Sequence, residues 1–379
     1  MSLILPGSTI GLLGGGQLGR MFAIAGRKMG YRIHTFDPTP DCPTGQIADR
    51  EVNRPFTDIQ ALQDFAKQVD VITYEFENIP VEPLKSIEGM VPLYPNPQVL
   101  HICQNRRREK EWLQSNGFPV APFRVVDSLE GFKKAVAEIG FPSVLKTADF
   151  GYDGKGQQKL SASSDLDFVW KNLQAPFGVL EGWISFEAEL SVIVARNSQG
   201  EIRSFPVVRN HHVNHILALS QVPSMFDPQV EKCAIELAQG VAEKFDLVGL
   251  MAVECFLTAT GKIMINELAP RTHNSGHFSF DACVTSQFEQ QLRAVCSLSL
   301  GSTEIMKPSV MRNLLGDEWK LGVPAWDRLL SLPGLKLHLY GKEEAKPGRK
   351  MGHYTVLGDS IEECLKVDRE AQRILGHYH

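Results

Sequence analysis

Two glutamates in the middle of the chain have the spacing of direct neighbours on paired strands. Glu254 and Glu267 lie on apolar segments on either side of the turn Ala259-Thr260-Gly261. If Thr260-Gly261 forms a two-residue hairpin loop, the register places Glu254 opposite Glu267, with Cβ atoms about 5 Å apart. Like charges at that distance destabilise a sheet unless a counter-ion neutralises them, and carboxylate oxygens are ligands that Mg²⁺ prefers. The pattern predicts a magnesium site on Glu254 and Glu267. The alternative is a one-residue register slip that separates the carboxylates.

A glycine-rich segment could hold phosphates. Gly151-Tyr152-Asp153-Gly154-Lys155-Gly156-Gln157 carries three glycines and one lysine, and it follows Lys146 at the end of a predicted strand. The segment is not a Walker A loop, because no Gly-Lys-Ser/Thr occurs in the required frame. A glycine hairpin with an upstream lysine can close over nucleotide phosphates. A mobile surface hairpin is an equally good interpretation of this loop alone.

A second glycine-rich turn lies near the N-terminus. Gly14-Gly15-Gly16-Gln17-Leu18-Gly19 fits the pattern G-x-G-x-x-G between a predicted strand and helix, and Asp37 ends the next predicted strand. Glycines let the backbone approach an anion, and the helix N-terminus supplies N–H donors. Taken alone, the turn indicates a dinucleotide. The alternatives are a turn that only packs helix against strand, or one that serves another ligand.

Three further polar clusters could bind an anionic ligand. The run Arg271-Thr272-His273-Asn274-Ser275 directly follows the second glutamate strand. Glu75-Phe76-Glu77-Asn78 follows an apolar strand, and the carboxyl ends of parallel strands are where α/β sheets bind ligands. Lys342, Arg349 and Lys350 flank a turn that contains glycine and proline, and they could hold a phosphate. Solvated loops are the alternative for each cluster.

The composition excludes several classes of protein. The 379 residues suggest two or three domains, and 39 basic against 44 acidic residues give a net charge of −5. This balance argues against a nucleic-acid partner, and no apolar run approaches the roughly 18 residues of a membrane helix. Seven widely spaced cysteines without a C-x-x-C pair disfavour a disulfide framework and predict a reducing compartment, the cytoplasm. The irregular spacing of His211, His212 and His215 disfavours zinc.

Strand-like and helix-like segments must position these residues. They alternate over the first hundred residues, which predicts βαβ units and a parallel sheet. The prolines of 92–97 mark a boundary, strand patterns dominate 179–208, and the last seventy residues are β-rich with one helix. We therefore expect an α/β (α+β multi-domain) protein.

The order of the motifs resembles that of the ATP-grasp superfamily. Within it, five segments are similar to those of the 5-(carboxyamino)imidazole ribonucleotide synthase family: 14–21, 75–78, 151–157, 266–271 and 273–277. Gly348-Arg349-Lys350-Met351-Gly352-His353 extends the resemblance to nearly the whole chain. The resemblance implies a Rossmann-like N-terminal domain over 1–104, an ATP-grasp domain over 105–300 with a lid subdomain at about 121–188, and a small β-rich C-terminal domain over 301–379.

The resemblance also implies a reaction and its residues. ATP, bicarbonate and 5-aminoimidazole ribonucleotide give ADP, phosphate and the N-carboxylated ribonucleotide, and a homodimer is expected. The residues implied to contact ATP are Arg106, Lys146, Gly151, Tyr152, Asp153, Gly154, Lys155, Gly156, Gln157, Glu181, Gly182, Trp183, Ile184, Glu189, His212, Asn266 and Glu267. The candidates for the ribonucleotide and bicarbonate are Gln17, Leu18, Glu75, Tyr152, Asp153, Arg271, His273, Asn274, Lys342 and Arg349. Lys146, Asp153 and Arg271 are the candidate catalytic residues, and Glu254 and Glu267 hold Mg²⁺.

One departure from the family pattern concerns the histidines. The family has a histidine, two residues and then Gly-Ile-Leu, whereas His215 takes the place of that glycine here. Either His211 or His212 could therefore fill the family role. Three other functions remain possible from the residues: an ATP-grasp ligase with another acceptor, an NAD-dependent oxidoreductase, and a non-catalytic nucleotide-binding module.

Overall fold

A computed structural model describes residues 3–149, 156–320 and 322–376. The part of the predicted phosphate loop from Gly151 to Lys155, which includes Tyr152, Asp153 and Gly154, lies outside the described residues. The fold class expected from the sequence is confirmed, with one parallel N-terminal sheet and two further sheets.

The N-terminal unit is a parallel sheet of order β3-β2-β1-β4. Its elements are β1 (Thr9–Leu13), α1 (Gln17–Lys28), β2 (Arg32–Phe36), β3 (Arg50–Val52), α2 (Ile59–Ala66), β4 (Val71–Tyr74), α3 (Val81–Leu84) and α4 (Pro97–Cys103). The strand β4 is buried throughout, as expected when helices cover both faces of a sheet. Since β1 and β4 are parallel neighbours, their carboxyl ends bring the first glycine turn beside Glu75.

A separate four-stranded antiparallel sheet has the order β5-β8-β6-β7 and lies in the segment expected to form the lid, so we call it the lid sheet. The elements of this segment are α5 (Arg106–Ser115), β5 (Phe123–Val126), α6 (Leu129–Ile139), β6 (Ser143–Thr147), β7 (Gln157–Leu160), α7 (Leu166–Leu173) and β8 (Gly178–Gly182). The side chain of Ser128 accepts the Gly131 N–H at the start of α6, and Gly140 ends that helix with φ of +82°. Lys146 lies on β6, which pairs with β7 and β8.

The third sheet runs through the rest of the chain in the order β14-β13-β9-β11-β12-β15-β17-β16, with β10 paired to β9. Its strands are β9 (Phe186–Arg196), β10 (Ile202–Ser204), β11 (Val208–Val213), β12 (Ile216–Val222), β13 (Gly249–Thr258), β14 (Ile263–Ala269), β15 (Ser309–Leu315), β16 (Leu335–Leu339) and β17 (Lys350–Leu357). The helices that accompany them are α8 (Pro228–Lys244), α9 (Ser279–Ala282), α10 (Gln287–Val295), α11 (Trp326–Leu330) and α12 (Ile361–Ile374). The C-terminal strands therefore continue the sheet of the preceding unit.

The centre of this sheet is apolar on both faces. Val192 and Val194 of β9 pack in one cluster with α8, whereas Ile193 and Ala195 pack on the opposite face with Ala294 of α10. Strands covered on both sides require such continuous apolar runs. The polar residues of these strands that line a cavity are Glu189 of β9, Glu254 of β13, and Asn266 and Glu267 of β14. No helix within the described ranges is long and apolar enough to cross a membrane.

A buried cluster of histidines joins the loop after β14 to the C-terminal strands. The rings of His338 and His353 stack with centroids 4.6 Å apart, and the ring of His277 lies 4.7 Å from that of His353. The hydroxyl of Tyr340 hydrogen-bonds to Nδ1 of His353 at 2.8 Å. Burial lowers the pKa of His277 to about 3 and that of His353 well below its usual value. Both rings are therefore neutral at pH 7.

Acid should weaken this cluster. A histidine whose pKa is lowered on folding stabilises the protein above its unfolded pKa, and that contribution is lost as pH falls towards the folded value. Between pH 7 and pH 5, His277 should cost roughly 2 kcal/mol of unfolding free energy. The urea midpoint of His277→Gln should therefore fall less over this interval than that of the unsubstituted protein. The exposed His211→Gln serves as the control, and an identical fall in all three proteins would refute the assignment.

Candidate active site

A cavity of ≈830 Å³ lies where the three sheets approach one another. Its wall combines the first helix, the end of β4, the lid, and the polar ends of β9, β11, β13 and β14. The predicted site residues that line it are Gln17, Leu18, Glu75, Arg106, Lys146, Gln157, Glu189, His212, Glu254, Asn266, Glu267, Arg271, His273 and Asn274. Residues as far apart in the sequence as Gln17 and Asn274 are thus brought to one cavity.

Some predicted residues lie elsewhere. The cavity wall as described does not include Gly156, Glu181, Gly182, Trp183, Ile184, Lys342 or Arg349. Glu181 is buried behind Lys146, with its carboxylate 3.0 Å from the Lys146 ammonium. Lys342 donates to the carbonyl of Lys350 at 2.6 Å, and it is Lys350 that reaches the cavity. Arg349 is exposed and donates to the Glu344 carbonyl.

The wall also contains further residues. Phe76, Glu77, Asn78 and Lys350 belong to the polar clusters that the sequence pointed to, whereas the patterns around Phe186, Asn214, His215, Leu217 and Phe256 did not indicate this site. The rings of Phe186 and Phe256 stack with centroids 4.6 Å apart. Aromatic residues on strands usually belong to a core, so their pattern gave no signal of a binding site.

Glu254 and Glu267 are direct cross-strand neighbours in the antiparallel pair β13–β14, as predicted. The predicted two-residue loop Thr260-Gly261, however, is wrong. Leu257 pairs with Ile263, which makes the connection a three-residue loop over 259–261. Its last residue, Gly261, has φ of +76°, the left-handed conformation that such loops require.

A β-bulge restores the opposition of the two glutamates. Cys255 pairs with Ile265, and the register then shifts so that Glu254 pairs with Glu267. Asn266 is the extra residue on β14. Without the bulge, continuation of the register would place Glu254 opposite Asn266. The bulge therefore compensates for the extra residue in the loop and puts two carboxylates at one point of the cavity wall.

The carboxylate of Glu254 is held by a neutral histidine. Burial, and then the charge of Glu267, raise the pKa of Glu254 to about 7. Nε2 of His273 lies 3.1 Å from Oε1 of Glu254. Burial and the positive charge of Arg271 lower the pKa of His273 well below its usual value, so the ring is neutral. Its Nδ1 accepts the backbone N–H of Ser275 at 3.3 Å, which places the ring proton on Nε2, the nitrogen that faces Glu254.

A chain of buried hydroxyl and amide groups fixes the orientation of that histidine. Ser220 donates to Asn210, Asn210 to Ser191, and Ser191 to Ser275, with distances of 2.9, 2.9 and 2.7 Å. The Ser275 hydroxyl then lies 2.9 Å from Nδ1 of His273. Since Nε2 carries the proton, Nδ1 accepts from Ser275. Each member supplies one donor and one acceptor, so the chain has a single direction that ends at Glu254.

The donor set of this wall fits a hard divalent cation. Glu267 is exposed to the cavity, and Glu254 lies opposite it on the neighbouring strand. Asn266, which precedes Glu267 on β14, also lines the cavity. Among the described residues, no group of three or more His, Cys, Asp or Glu side chains is arranged to hold a metal alone. Mg²⁺ is commonly held by one or two carboxylates together with substrate phosphates. Two carboxylates suit that pattern.

A buried cluster of charges lies behind the lid side of the cavity. The Glu181 carboxylate is 3.0 Å from the Lys146 ammonium and 3.5 Å from that of Lys110. Burial raises the pKa of Glu181, but the two lysines outweigh burial and lower it to about 2. Burial lowers the pKa of Lys146 more than Glu181 raises it. Oε1 of Glu181 accepts no hydrogen bond from any described residue.

The structure distinguishes between the two candidate histidines of β11. His212 lines the cavity, and its Nδ1 lies 2.7 Å from Oε2 of Glu189, whereas His211 is exposed. Burial lowers the pKa of His212, but the bond to Glu189 outweighs burial and raises it above its ordinary value. His215, which replaces a family glycine, has φ of +66° in the two-residue turn between β11 and β12. The turn thus keeps the left-handed conformation that glycine favours.

Arg271 and Asn274 face the cavity from the loop after β14. The Arg271 guanidinium donates to the carboxylate of Glu77, and both groups are largely buried. Burial raises the pKa of Glu77, but Arg271 outweighs burial and keeps it below the ordinary value. Asn274 is different, because neither its side-chain nitrogen nor its oxygen has a partner among the described residues. A buried amide without partners is costly unless a ligand completes its hydrogen bonds.

The first glycine turn binds carboxylates of the chain itself. Gly15 N–H donates to Asp37 at 2.8 Å, and Gly16 and Gly19 donate to the two oxygens of Glu75 at 2.7 and 3.1 Å. A Cβ on Gly16 would lie 2.6 Å from Oε1 of Glu75, so the glycine is required by this close approach. The amides that would bind a dinucleotide are therefore already occupied, and the NAD-dependent alternative loses its site.

Comparisons with known proteins cover the whole chain. The sequence matches the ribonucleotide synthetase preATP-grasp domain over residues 7–104, the ATP-grasp domain over 111–288, and the phosphoribosylaminoimidazole carboxylase C-terminal domain over 309–367. N5-carboxyaminoimidazole ribonucleotide synthase of Bacillus subtilis (strain 168) is 45% identical over 364 residues, which are 96% of this chain and 95% of that protein. The enzyme of the same name from Brucella melitensis biotype 1 is 42% identical, over 92% and 96% of the two chains.

Solved structures agree with this assignment. An ADP complex of an N5-carboxyaminoimidazole ribonucleotide synthetase superposes with a TM-score of 0.94 at 48% identity, covering 98% of both chains. The Aspergillus clavatus N5-carboxyaminoimidazole synthase in complex with ADP and 5-aminoimidazole ribonucleotide has a TM-score of 0.88 at 31% identity, over 97% and 98% of the two chains. The chain belongs to the N5-carboxyaminoimidazole ribonucleotide synthase family of ATP-grasp ligases.

Proposed function

We propose that this chain carboxylates the amino group of 5-aminoimidazole ribonucleotide, with ATP and bicarbonate as co-substrates and ADP and phosphate as products. One observation carries the proposal: the opposed carboxylates Glu254 and Glu267, the ammonium of Lys146 and the guanidinium of Arg271 line one cavity. Phosphoryl transfer needs fixed charges around the phosphates, and a reactive acyl phosphate needs a cavity that excludes water. Membership of the family supports the choice of acceptor.

The nucleotide occupies the lid side of the cavity. Lys146, Arg106, Gln157, Glu189 and His212 line that side, and the remaining ATP contacts are assigned to Gly151–Gly156 and Glu181–Ile184. Support comes from the positive side chains of Lys146 and Arg106, which both line this side of the cavity. Lys146 neutralises charge on the transferring phosphoryl group. The Glu181 carboxylate holds the Lys146 ammonium in place at 3.0 Å.

Glu254 and Glu267 hold a magnesium ion, with Asn266 beside them. The donor set supports this assignment, because two opposed carboxylates otherwise repel each other in a partly buried wall. When bound, the ion neutralises charge on the nucleotide phosphates. The neutral ring of His273 faces Oε1 of Glu254. The other oxygen of that carboxylate is not part of this contact.

The ribonucleotide and bicarbonate occupy the opposite side. The residues assigned to them are Gln17, Leu18, Glu75, Tyr152, Asp153, Arg271, His273, Asn274, Lys342 and Arg349, to which the cavity wall adds Lys350. The unpartnered amide of Asn274 is the strongest support for a polar ligand here. Glu75 keeps the first glycine turn closed, so this turn shapes the wall around Gln17 and Leu18 rather than binding a phosphate itself.

These assignments are compatible with the following reaction. A bicarbonate oxygen attacks the terminal phosphorus of ATP, which releases ADP and forms carboxyphosphate. The amine of the ribonucleotide attacks either carboxyphosphate, with release of phosphate, or the carbon dioxide that forms when carboxyphosphate loses phosphate, and the amine then loses a proton. Arg271, fixed by Glu77, holds the bicarbonate anion, and Asp153 is assigned to the amine side. The reaction requires a cavity that excludes water from the intermediate.

The organisation of the protein is part of the same proposal. We assign domains to residues 1–104, 105–300 and 301–379, with a lid subdomain at about 121–188. A homodimer and a cytoplasmic location are also proposed. Support for the location comes from the cysteines, since all seven are free thiols.

Release of ADP tests the proposed acceptor. With ATP, Mg²⁺ and bicarbonate, ADP formation should be strongly stimulated by 5-aminoimidazole ribonucleotide. Magnesium-dependent ADP release that ignores this ribonucleotide would reassign the acceptor within the ATP-grasp ligases. No ADP release under any of these conditions would contradict the ligase itself.

Removal of one charge tests the magnesium site. Glu267→Gln should lower ADP formation on the order of 100-fold, because the cation loses one of its two carboxylates. Glu254→Gln should raise the Mg²⁺ concentration needed for half-maximal rate. Glu187→Gln, on the neighbouring strand β9 and exposed outside the cavity wall, is the control and should change neither. An unchanged rate in Glu267→Gln would falsify the assignment.

The unpartnered side-chain amide of Asn274 provides a test of the proposed ribonucleotide side of the cavity. Asn274→Ala should raise KM for the ribonucleotide about tenfold, since about two hydrogen bonds of the ligand are lost. KM for ATP should stay within twofold, because Asn274 is on the other side of the cavity. Asn116→Ala, at the end of α5, is the matched control. If KM for ATP rises as much as KM for the ribonucleotide, Asn274 is not a substrate contact.

A further inference from the structure

Two adjacent residues of α5 bury their polar groups against the edge of the large sheet. The side chains of Glu109 and Lys110 are 3% and 1% exposed. The Glu109 carboxyl group accepts the N–H of Leu268, and the Lys110 ammonium donates to the carbonyl of Asn266 at 2.9 Å. Burial, and then the charge of Glu267, raise the pKa of Glu109. Burying such polar groups is costly unless partners compensate, and an apolar helix face would be sufficient to cover this strand, so the two polar groups indicate a more specific role.

The contacts fall on the bulge that aligns the magnesium carboxylates. β14 is the last strand of its sheet, so one edge of its backbone has no strand neighbour. On that edge, Ile265 N–H donates to the Pro119 carbonyl at 2.7 Å, and the next two edge groups are the Asn266 carbonyl and the Leu268 N–H. Lys110 donates to the Asn266 carbonyl and Glu109 accepts the Leu268 N–H, so these two backbone groups, which flank the irregularity, are hydrogen-bonded. The two side chains thus take the place of a neighbouring strand.

The residue between these two contacts is Glu267. It follows the extra residue of the bulge, and its position opposite Glu254 exists only because of that bulge. Both backbone groups that flank it are held from outside the sheet. A bulge without such partners is free to relax towards the unbulged register, in which Asn266 would oppose Glu254.

Lys110 also extends to the nucleotide side. Its ammonium lies 3.5 Å from the Glu181 carboxylate, which holds Lys146. One lysine therefore contacts both the backbone of the metal strand and the charge cluster of the lid. Glu109 has only the first of these contacts, so the two residues can be tested separately.

We propose that Glu109 and Lys110 are positioning residues, which hold the β14 bulge so that Glu267 and Glu254 converge on one cation. The proposal rests on the proposed function, because it assumes that the two glutamates bind Mg²⁺. Neither residue touches the cation or a substrate. Their effect is transmitted through the hydrogen bonds to Asn266 and Leu268.

Three variants separate this role from simple packing. Glu109→Met removes the acceptor and keeps the length of the side chain, whereas Glu109→Gln keeps an acceptor oxygen for Leu268. Lys110→Met removes the donor. Glu111→Gln, exposed on the same helix and paired with Arg107, is the control. All four are measured as full-length protein with ADP present.

The readouts include two that do not depend on catalysis. Mn²⁺ binding, measured by electron paramagnetic resonance, should weaken about tenfold in Glu109→Met and Lys110→Met and stay near the unsubstituted value in Glu109→Gln and Glu111→Gln. Hydrogen exchange of the segment 263–269 should speed up in Glu109→Met. In kinetics, Glu109→Met should raise the Mg²⁺ requirement at unchanged KM for ATP, whereas Lys110→Met should change both.

The outcomes are distinguishable. If the unsubstituted protein binds no Mn²⁺ at Glu254 and Glu267, the proposed metal site fails and the inference fails with it. If the unsubstituted protein binds Mn²⁺ and Glu109→Met binds it equally well despite faster exchange, the inference alone is overturned. Should Glu109→Met not fold, Lys110→Met decides by the same criterion, with unchanged Mn²⁺ affinity overturning the proposal.

Discussion

The repulsion between Glu254 and Glu267 is the constraint that the surrounding structure has to meet. Two unit charges about 5 Å apart repel each other by roughly 3 kcal/mol at the effective dielectric of a partly buried site. The two strands nevertheless keep these carboxylates opposed, because β13 is paired on both sides, with β9 and with β14. The neutral His273 ring, held by four buried polar side chains, then fixes one carboxylate without adding a positive charge that would compete with a cation.

Three positively charged side chains near the cavity are paired with other carboxylates, so they do not neutralise Glu254 and Glu267. Arg271 is bound to Glu77, and Lys146 and Lys110 are bound to Glu181. Arg271, Lys146 and Lys110 thus have carboxylate partners other than Glu254 or Glu267, whereas Arg106 donates to the Thr147 carbonyl. Among the described residues, no lysine or arginine forms an ion pair with Glu254 or Glu267, and a divalent ion coordinated by phosphates would complement these two carboxylates. Local charge pairing explains how one small cavity can hold both an anion-binding side and a cation-binding side.

Local patterns predicted the order of the elements and part of the cavity wall, whereas Arg106, Glu189 and His212 came from the resemblance to the family. Apolar periodicity located the strands, and polar runs at their ends located Glu75, Arg271 and Asn274. The opposition of the glutamates was predicted through two errors that cancel. The loop is one residue longer than assumed, and the bulge at Asn266 shifts the register back by one. The bulge has no signature in the sequence of the hairpin itself.

The structural features that the sequence did not predict depend on contacts between segments that are distant along the chain. Glu109 and Lys110 belong to a charged helix whose pattern is typical of an exposed face, yet both are buried against β14. The stacked pair Phe186 and Phe256 has the pattern of core residues. Asp37 and Glu75 are spaced as ligand-binding acids but bind the glycine turn of their own chain. In each case the partner comes from a segment that is distant in the sequence.

The continuity of the large sheet determines which parts of the molecule can move. β12 and β15 are joined by backbone hydrogen bonds, so the strands on either side of that pair form one plate. Lys350, at the start of β17, is therefore joined to Glu254 on β13 through an unbroken series of paired strands, and a hinge between them would break a strand pair. The lid sheet shares no strand with this plate. Movements that keep every strand pair intact are therefore those of the lid sheet or of the N-terminal sheet relative to the plate.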